Sequence, residues 1–226
     1  MTTAKPEFKK YWQVNTLKKP EKTTDGVILR NSDFGLNGKV SVRMLRPKAD
    51  KYQMEILSDE TAYSVFGQKF TPPFPAKPEA NGHRVMFSPK TKQASDIFLA
   101  VMPLSDDKAP ELPVTLDEGP TIFTLTIANR IVVLSKSGKL LEQSFQLDVK
   151  ADQNSQLLLA GLAPGNWSIR SQDGRVKFNT KIETGRNTAF FVVPCGSFTV
   201  QPESISGAPE FQAAPDFMPT PAPAIQ

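Results

Sequence analysis

Polar and apolar residues alternate along much of this chain. Lys39-Val40-Ser41-Val42-Arg43-Met44 has a period of two, as does Thr121-Ile122-Phe123-Thr124-Leu125-Thr126-Ile127. Ser144-Phe145-Gln146-Leu147-Asp148-Val149 repeats the pattern. This spacing places one face of a strand in a core and the other in water. Three short apolar runs predict strands buried on both faces: Ile131-Val132-Val133-Leu134, Gln156-Leu157-Leu158-Leu159 and Ala189-Phe190-Phe191-Val192-Val193. Glycine turns separate the runs at Asp25-Gly26, Asn37-Gly38, Asn81-Gly82, Ser137-Gly138, Pro164-Gly165, Asp173-Gly174 and Thr184-Gly185. No stretch carries a sustained helical stripe. Many short strands at regular spacing predict an all-β protein built of antiparallel β-sandwiches.

Composition changes along the chain mark the domains. Ser105-Asp106-Asp107-Lys108-Ala109-Pro110-Glu111-Leu112-Pro113 is charged and broken by proline, so residues 104–120 are expected to form a linker. Before it, residues 1–103 form one strand-rich block. After it, residues 121–201 suit a small sandwich of seven or eight strands. Within that sandwich Trp167 follows the Pro164-Gly165 turn. The bulk of the indole predicts a core plug, with a sugar-stacking platform as the alternative. Residues 202–226 hold six prolines and no Lys or Arg and are expected to remain disordered.

The chain has 226 residues, room for one large β domain or two small ones. No apolar run reaches the roughly 20 residues of a membrane span, and no membrane partner is expected. The opening MTTAKPEFKK lacks an apolar signal core. Cys195 is the one cysteine, so no internal disulfide can form, and its apolar setting predicts a buried thiol. Charge is uneven. Residues 1–103 carry 17 Lys/Arg against 10 Asp/Glu (+7), and residues 104–226 carry 10 against 13 (−3). A basic front half suits an anionic partner, although its lysines are scattered rather than grouped.

Reactive chemistry is scarce. One His and one Cys, at positions 83 and 195, predict neither a metal site nor a cofactor. No G-x-S-x-G elbow presents a serine nucleophile. The carboxylate pairs Asp59-Glu60, Asp106-Asp107 and Asp117-Glu118 fall in predicted loops and read as solvated. Phe8-Lys9-Lys10-Tyr11-Trp12 mixes aromatic and basic residues, but no RNA-binding signature accompanies it, and no nucleic-acid partner is expected.

Several segments resemble the heparinase II/III-like polysaccharide lyases. The opening Ala4-Lys5-Pro6-Glu7-Phe8-Lys9-Lys10-Tyr11-Trp12, then Lys19-Pro20-Glu21, is similar to a strand and turn of that family. Gly38-Lys39 leading to Met44-Leu45-Arg46-Pro47 resembles its "G-x-L … L-L-P" strand, and the Phe66-Gly67 turn fits its order. His83-Arg84-Val85-Met86-Phe87-Ser88-Pro89-Lys90 and Asp96-Ile97-Phe98-Leu99-Ala100-Val101-Met102 resemble the pair "R-V-x-x-S-P … D-x-F-L-x-V-x". The likeness covers about residues 4–103, and residues 121–201 match the family's C-terminal sandwich in position and character. One departure stands out: Trp12-Gln13-Val14-Asn15-Thr16 has Asn15 where the family often reads Trp-Leu-Leu-His-Ser. That puts any family role of the position in doubt.

The resemblance implies an enzyme that cleaves uronate-containing polysaccharides, such as heparin, heparan sulfate or alginate, by β-elimination. It implies a periplasmic or secreted setting. The family's catalytic residues lie in an α/α toroid and the early central sandwich, so this chain would be a non-catalytic end of a sandwich with no catalytic residue to carry over. The toroid becomes an expected partner, and an acidic polysaccharide another. Lys9, Lys10, Arg43, Arg46 and Arg84 are the candidate glycan contacts. A free-standing carbohydrate-binding sandwich is the alternative, with Trp12, Trp167 or Tyr63 exposed as a platform. A complete small lyase would have to use Tyr11, Tyr52, Tyr63 or His83.

Overall fold

The computed structural model describes residues 10–35, 37–65, 68–69, 82–150 and 154–203. The chain is all-β, with two short 3-10 turns at Asp33–Gly35 and Asp59–Tyr63. It divides into two compact units, Met1–Leu116 and Asp117–Gln226. The Pro-rich segment from residue 204 onward lies outside the described residues, as do Lys9 and the Phe66-Gly67 turn.

Among the described residues, ten strands lie wholly within the first unit. They are β1 (Trp12–Thr16), β2 (Glu21–Lys22), β3 (Gly26–Asn31), β4 (Gly38–Arg46) and β5 (Tyr52–Ser58). They continue with β6 (Ser64–Val65), β7 (Gln68–Lys69), β8 (His83–Pro89), β9 (Leu99–Val101) and β10 (Leu104–Asp106). Strand β8 lies between β1 and β5, with Val85 opposite both Val14 and Ile56 and Phe87 opposite both Trp12 and Met54. The second sheet runs β10-β4-β3-β2, with β9 also on β4. Alternation aims Val42 and Met44 of β4 at Val85 and Phe87 of β8, with Val27 and Tyr52 beside them. Each such side chain contributes about 1.5–3 kcal/mol on full burial. Phe87 meets Tyr52 edge-on at 5.3 Å and Trp12 at 5.7 Å. Strand β3 begins at Gly26 because the chains pass so closely there: a Cβ would lie 1.8 Å from the Val42 carbonyl oxygen.

Residues 104–120, expected as a linker, carry two strands. Strand β10 pairs with the start of β4, Leu104 opposite Val40 and Asp106 opposite Gly38. Strand β11 (Val114–Glu118) joins the edge of a sheet of later strands. Between them Glu111 accepts from the Ser41 hydroxyl at 2.6 Å, and the Lys39 ammonium lies 3.1 Å from its other oxygen. Lys39 also donates to the Ala109 carbonyl at 2.6 Å. The acidic stretch is thus bound to the basic strand it follows. Prolines interrupt a ladder but do not prevent side-chain bonding.

The second unit has two packed sheets. Its strands are β12 (Ile122–Ile127), β13 (Arg130–Ser135), β14 (Phe145–Val149) and β15 (Ser155–Ala160). They end with β16 (Gly165–Ser171), β17 (Lys177–Ile182), β18 (Thr188–Val193) and β19 (Gly196–Pro202). One sheet runs β11-β12-β13-β15-β18, the other β14-β19-β16-β17. Strands β13 and β15 are parallel, since the chain visits the other sheet through β14 between them, as a parallel crossover requires. The core holds Ile131, Val133, Leu157, Leu159, Ile169 and Phe198 around Trp167, which is 1% exposed. The Trp167 indole N–H donates to the Ala163 carbonyl at 2.9 Å. The indole is a core plug, not a platform.

Two expectations fail in this unit. The apolar runs were expected to be covered on both faces, yet Phe190 of β18 is 55% exposed and Val192 44%. Their neighbours Ala189 and Val193 face the core. A run of apolar residues fixes what both faces are made of, not what covers them. Cys195 is exposed, not buried. It falls in the turn between β18 and β19, outside both sheets, so the apolar strands around it do not enclose it.

Candidate functional site

The basic residues expected to contact glycan are spread over two sheets and bonded within the protein. Lys10 meets the Asp96 carboxylate at 2.5 Å and the Gln93 carbonyl at 2.5 Å, tying the segment before β9 to the start of β1. Arg43 lies on β4 with its Nε 2.8 Å from Asp25. Arg46 ends the same strand, and burial lowers the pKa of its guanidinium. Arg84 is buried on β8 and donates to the Ser64 carbonyl. Val42 of β4 and Val85 of β8 face the shared core. By alternation Arg43 and Arg84 therefore project from opposite outer faces of the sandwich. Lys9 lies outside the described residues.

The +7 balance of residues 1–103 is also met by carboxylates that follow it. Arg30 bonds Asp107, as well as Glu21 of the same half, and Lys39 bonds Glu111. The Ser41 hydroxyl, then the Lys39 ammonium, holds the Glu111 carboxyl below the usual glutamate range. A shallow groove of about 380 Å³ opens beside these pairs, with Leu17, Leu29, Val40 and Leu104 in its lining. The cations on its rim are paired: Lys18 with Asp33 at 2.9 Å, Arg30 and Lys39 as above.

Among the described residues, Tyr52 and His83 stand at opposite ends of the β5–β8 pair, Tyr52 opposite Pro89 and His83 opposite Ser58. Tyr52 is 6% exposed, and its phenol pKa is raised by burial first and by Asp25 second. A tyrosine poised to abstract a proton near neutrality needs the opposite shift. His83 opens β8 opposite Thr16 and Ser58, with Nδ1 buried. Tyr63 ends a 3-10 turn with a buried hydroxyl. Trp12 and Tyr63 are both half-buried, so neither stands out as an open stacking surface. Among the described residues no three His, Cys, Asp or Glu side chains gather as a metal site would need. No helix among them is long and apolar enough to cross a membrane.

The second unit also holds a polar surface on β16 and β17. Strand β17 alternates Lys177-Phe178-Asn179-Thr180-Lys181, and Lys177, Asn179 and Lys181 are all exposed. Strand β16 sets Arg170 opposite Lys177, Ser168 opposite Asn179, and Asn166 opposite Lys181. The hairpin turn joining the strands is fixed by Asp173. It accepts from the Ser171 hydroxyl at 2.6 Å and the Arg175 N–H at 3.1 Å, while Gly174 takes a φ of +72°, which glycine permits at little cost. Those bonds, Ser171 first, hold the Asp173 carboxyl below its ordinary range. The period-two lysines were the available signal. They were missed because they lie in the half of the chain with negative net charge.

Residues 116–202 match the family described as the Heparinase II C-terminal domain. The matched span begins within β11 and ends with β19, and so takes in both sheets of the second unit. No curated protein matches the chain. The family likeness therefore rests on the second unit, and the similarity proposed for residues 4–103 stands on its motifs.

Proposed function

We propose that this chain is a non-catalytic β-sandwich region of a heparinase II/III-like polysaccharide lyase. It would support the helical catalytic toroid and contact the anionic glycan that the enzyme cleaves. The observation that carries this reading is the match of residues 116–202 to the Heparinase II C-terminal domain. The all-β architecture agrees with it. The separation of Tyr52 from His83 along the β5–β8 pair favours a supporting role. Lys10 and Arg43 keep part of their side chains in water, 31% and 28% respectively. Arg46 is likewise half-buried.

A salt gradient on immobilised heparin tests glycan contact. Retention at low salt, with elution as salt rises, is expected from screened ionic contacts. Elution in the void volume at low salt defeats that part of the reading. β-Elimination leaves an unsaturated uronate that absorbs in the ultraviolet. No absorbance rise is expected with heparin, heparan sulfate or alginate, and a rise overturns the non-catalytic assignment.

A further inference from the structure

We propose that the β16-β17 edge of the outer face of the β14-β19-β16-β17 sheet binds a polysaccharide bearing carboxylate or sulfate groups, with Lys177 and Lys181 receiving the anions. This rests on the functional reading above and gives it a site in the second unit.

The geometry starts from alternation. Trp167, Ile169 and Ile182 point into the core, so their neighbours on β16 and β17 point out. Arg170 and Lys177 stand directly opposite each other on adjacent strands. Like charges in that position are destabilising. Here the Glu203 carboxylate lies 2.6 Å from Arg170. Arg170, then Ser168, holds the Glu203 carboxyl below its usual range, with Lys177 adding a smaller attraction. One carboxylate thus already sits among cations at this edge. Lys181 lies four residues from Lys177, about 13 Å along the strand at 3.3 Å per residue. Neither lysine forms an ion pair among the described residues. Two open cations spaced along one strand suit a polymer with repeating charge better than a single small anion.

Amide side chains flank the lysines on β16, β17 and β19. Asn179 lies between the lysines, Asn166 faces Lys181, and Gln201 faces Ser168 from β19. Side-chain amides both donate and accept, matching sugar hydroxyls. No aromatic side chain occupies an outward position on β16 or β17. Single-stranded nucleic acid is held through base stacking on aromatics, and this face offers none. A flat row of amides with cations at one edge fits a charged glycan.

Binding of the full chain to heparin and to alginate, measured by calorimetry over a range of salt, tests the proposal. Heparin presents sulfate with carboxylate, and alginate carboxylate alone. Lys177→Ala with Lys181→Ala is expected to weaken binding at least about tenfold and to flatten the salt dependence by about two charges. Arg130→Ala with Lys139→Ala removes the same charge from exposed positions off this face and is expected to change affinity less than about twofold. Glu203→Gln frees Arg170 and is expected to tighten binding. Loss with alginate as well as heparin assigns the site to carboxylates, and loss with heparin alone assigns it to sulfates. If the β17 pair binds like the Arg130/Lys139 pair, this site is wrong while glycan contact stands. If the unaltered chain binds neither polymer, both fall.

Discussion

Glu111→Ala should loosen the first unit by more than a surface carboxylate normally would. The Glu111 side chain is 45% exposed, which alone suggests an effect within about 1 kcal/mol. Its partners alter that expectation. Lys39 has a side chain only 8% exposed, and the substitution leaves its ammonium with the Ala109 carbonyl alone. Ser41, 4% exposed, loses the acceptor for its hydroxyl. A hydrogen bond to a charged group contributes about 1.5–3 kcal/mol; half-exposure of the acceptor reduces that to about 1–2. Weakening the compensation of a buried ammonium adds about 1 more, below the 3–5 seen when a fully buried pair is broken. The sum is about 2–3 kcal/mol. For a unit near 100 residues that lowers the melting temperature by about 8–24 °C. Lys39→Met should cost less than about 1 kcal/mol, because it removes the buried charge and keeps the stem. The double variant should be less destabilised than the two single changes added together, by about 1–2 kcal/mol. Denaturant unfolding followed through Trp12, packed on Phe87 in this unit's core, reads the effect. Amide exchange of residues 104–113 reads it locally. A Glu111→Ala loss under about 0.5 kcal/mol, with unchanged exchange there, would refute the view that this segment is bound to β4.

Three other outcomes follow from the packing and the ionised groups. Trp167→Ala should destabilise the second unit by about 3–5 kcal/mol, read as loss of exchange protection in β16 and β19 while β4 and β8 stay protected. Gly26→Ala should cost more than about 2 kcal/mol by forcing β3 from β4, and near-normal thermal unfolding would contradict the close approach. Glu111 and Glu203 have folded pKa values below those of the unfolded chain. Their contribution is therefore present above the ordinary glutamate pKa near 4.5 and is lost as pH falls through the lower folded values. Acid titration should destabilise the unaltered protein more than the double variant Glu111→Gln, Glu203→Gln.

Strand positions were legible because alternation is a local property. Val40-Ser41-Val42 and Phe145-Gln146-Leu147 each announce which residues face a core. The Gly-containing turns announce where the chain reverses. Segment 104–120 was harder because its cues pulled both ways. Pro110 and Pro113 read as a break, while the strand residues Leu104–Asp106 and Val114–Glu118 are short and charged. What holds the segment is a set of bonds to Arg30, Lys39 and Ser41, some seventy residues earlier, and no local pattern contains them. Coverage of a strand's second face was equally out of reach. Leu158 and Phe190 are cross-strand partners on one face, and whether a third layer lies over them depends on the rest of the fold.

The proposed β17 site would make net charge by segment a poor guide to anion binding. A cation attracts a ligand in proportion to the charge its own protein leaves uncompensated at the surface. The front half has the larger excess, but Arg30, Lys39 and Arg43 are each within bonding distance of carboxylates, and Arg84 is buried. The fields of the three paired cations are cancelled within a few ångströms, well inside the roughly 8–10 Å over which salt screens exposed charges. The second half is acidic in sum, yet Lys177 and Lys181 share one strand face with no such pairing among the described residues. A short polar strand with lysines two side-chain steps apart on one face therefore carries more weight than a basic total over a hundred residues. The reason is that alternation fixes where those charges point, and a sum does not.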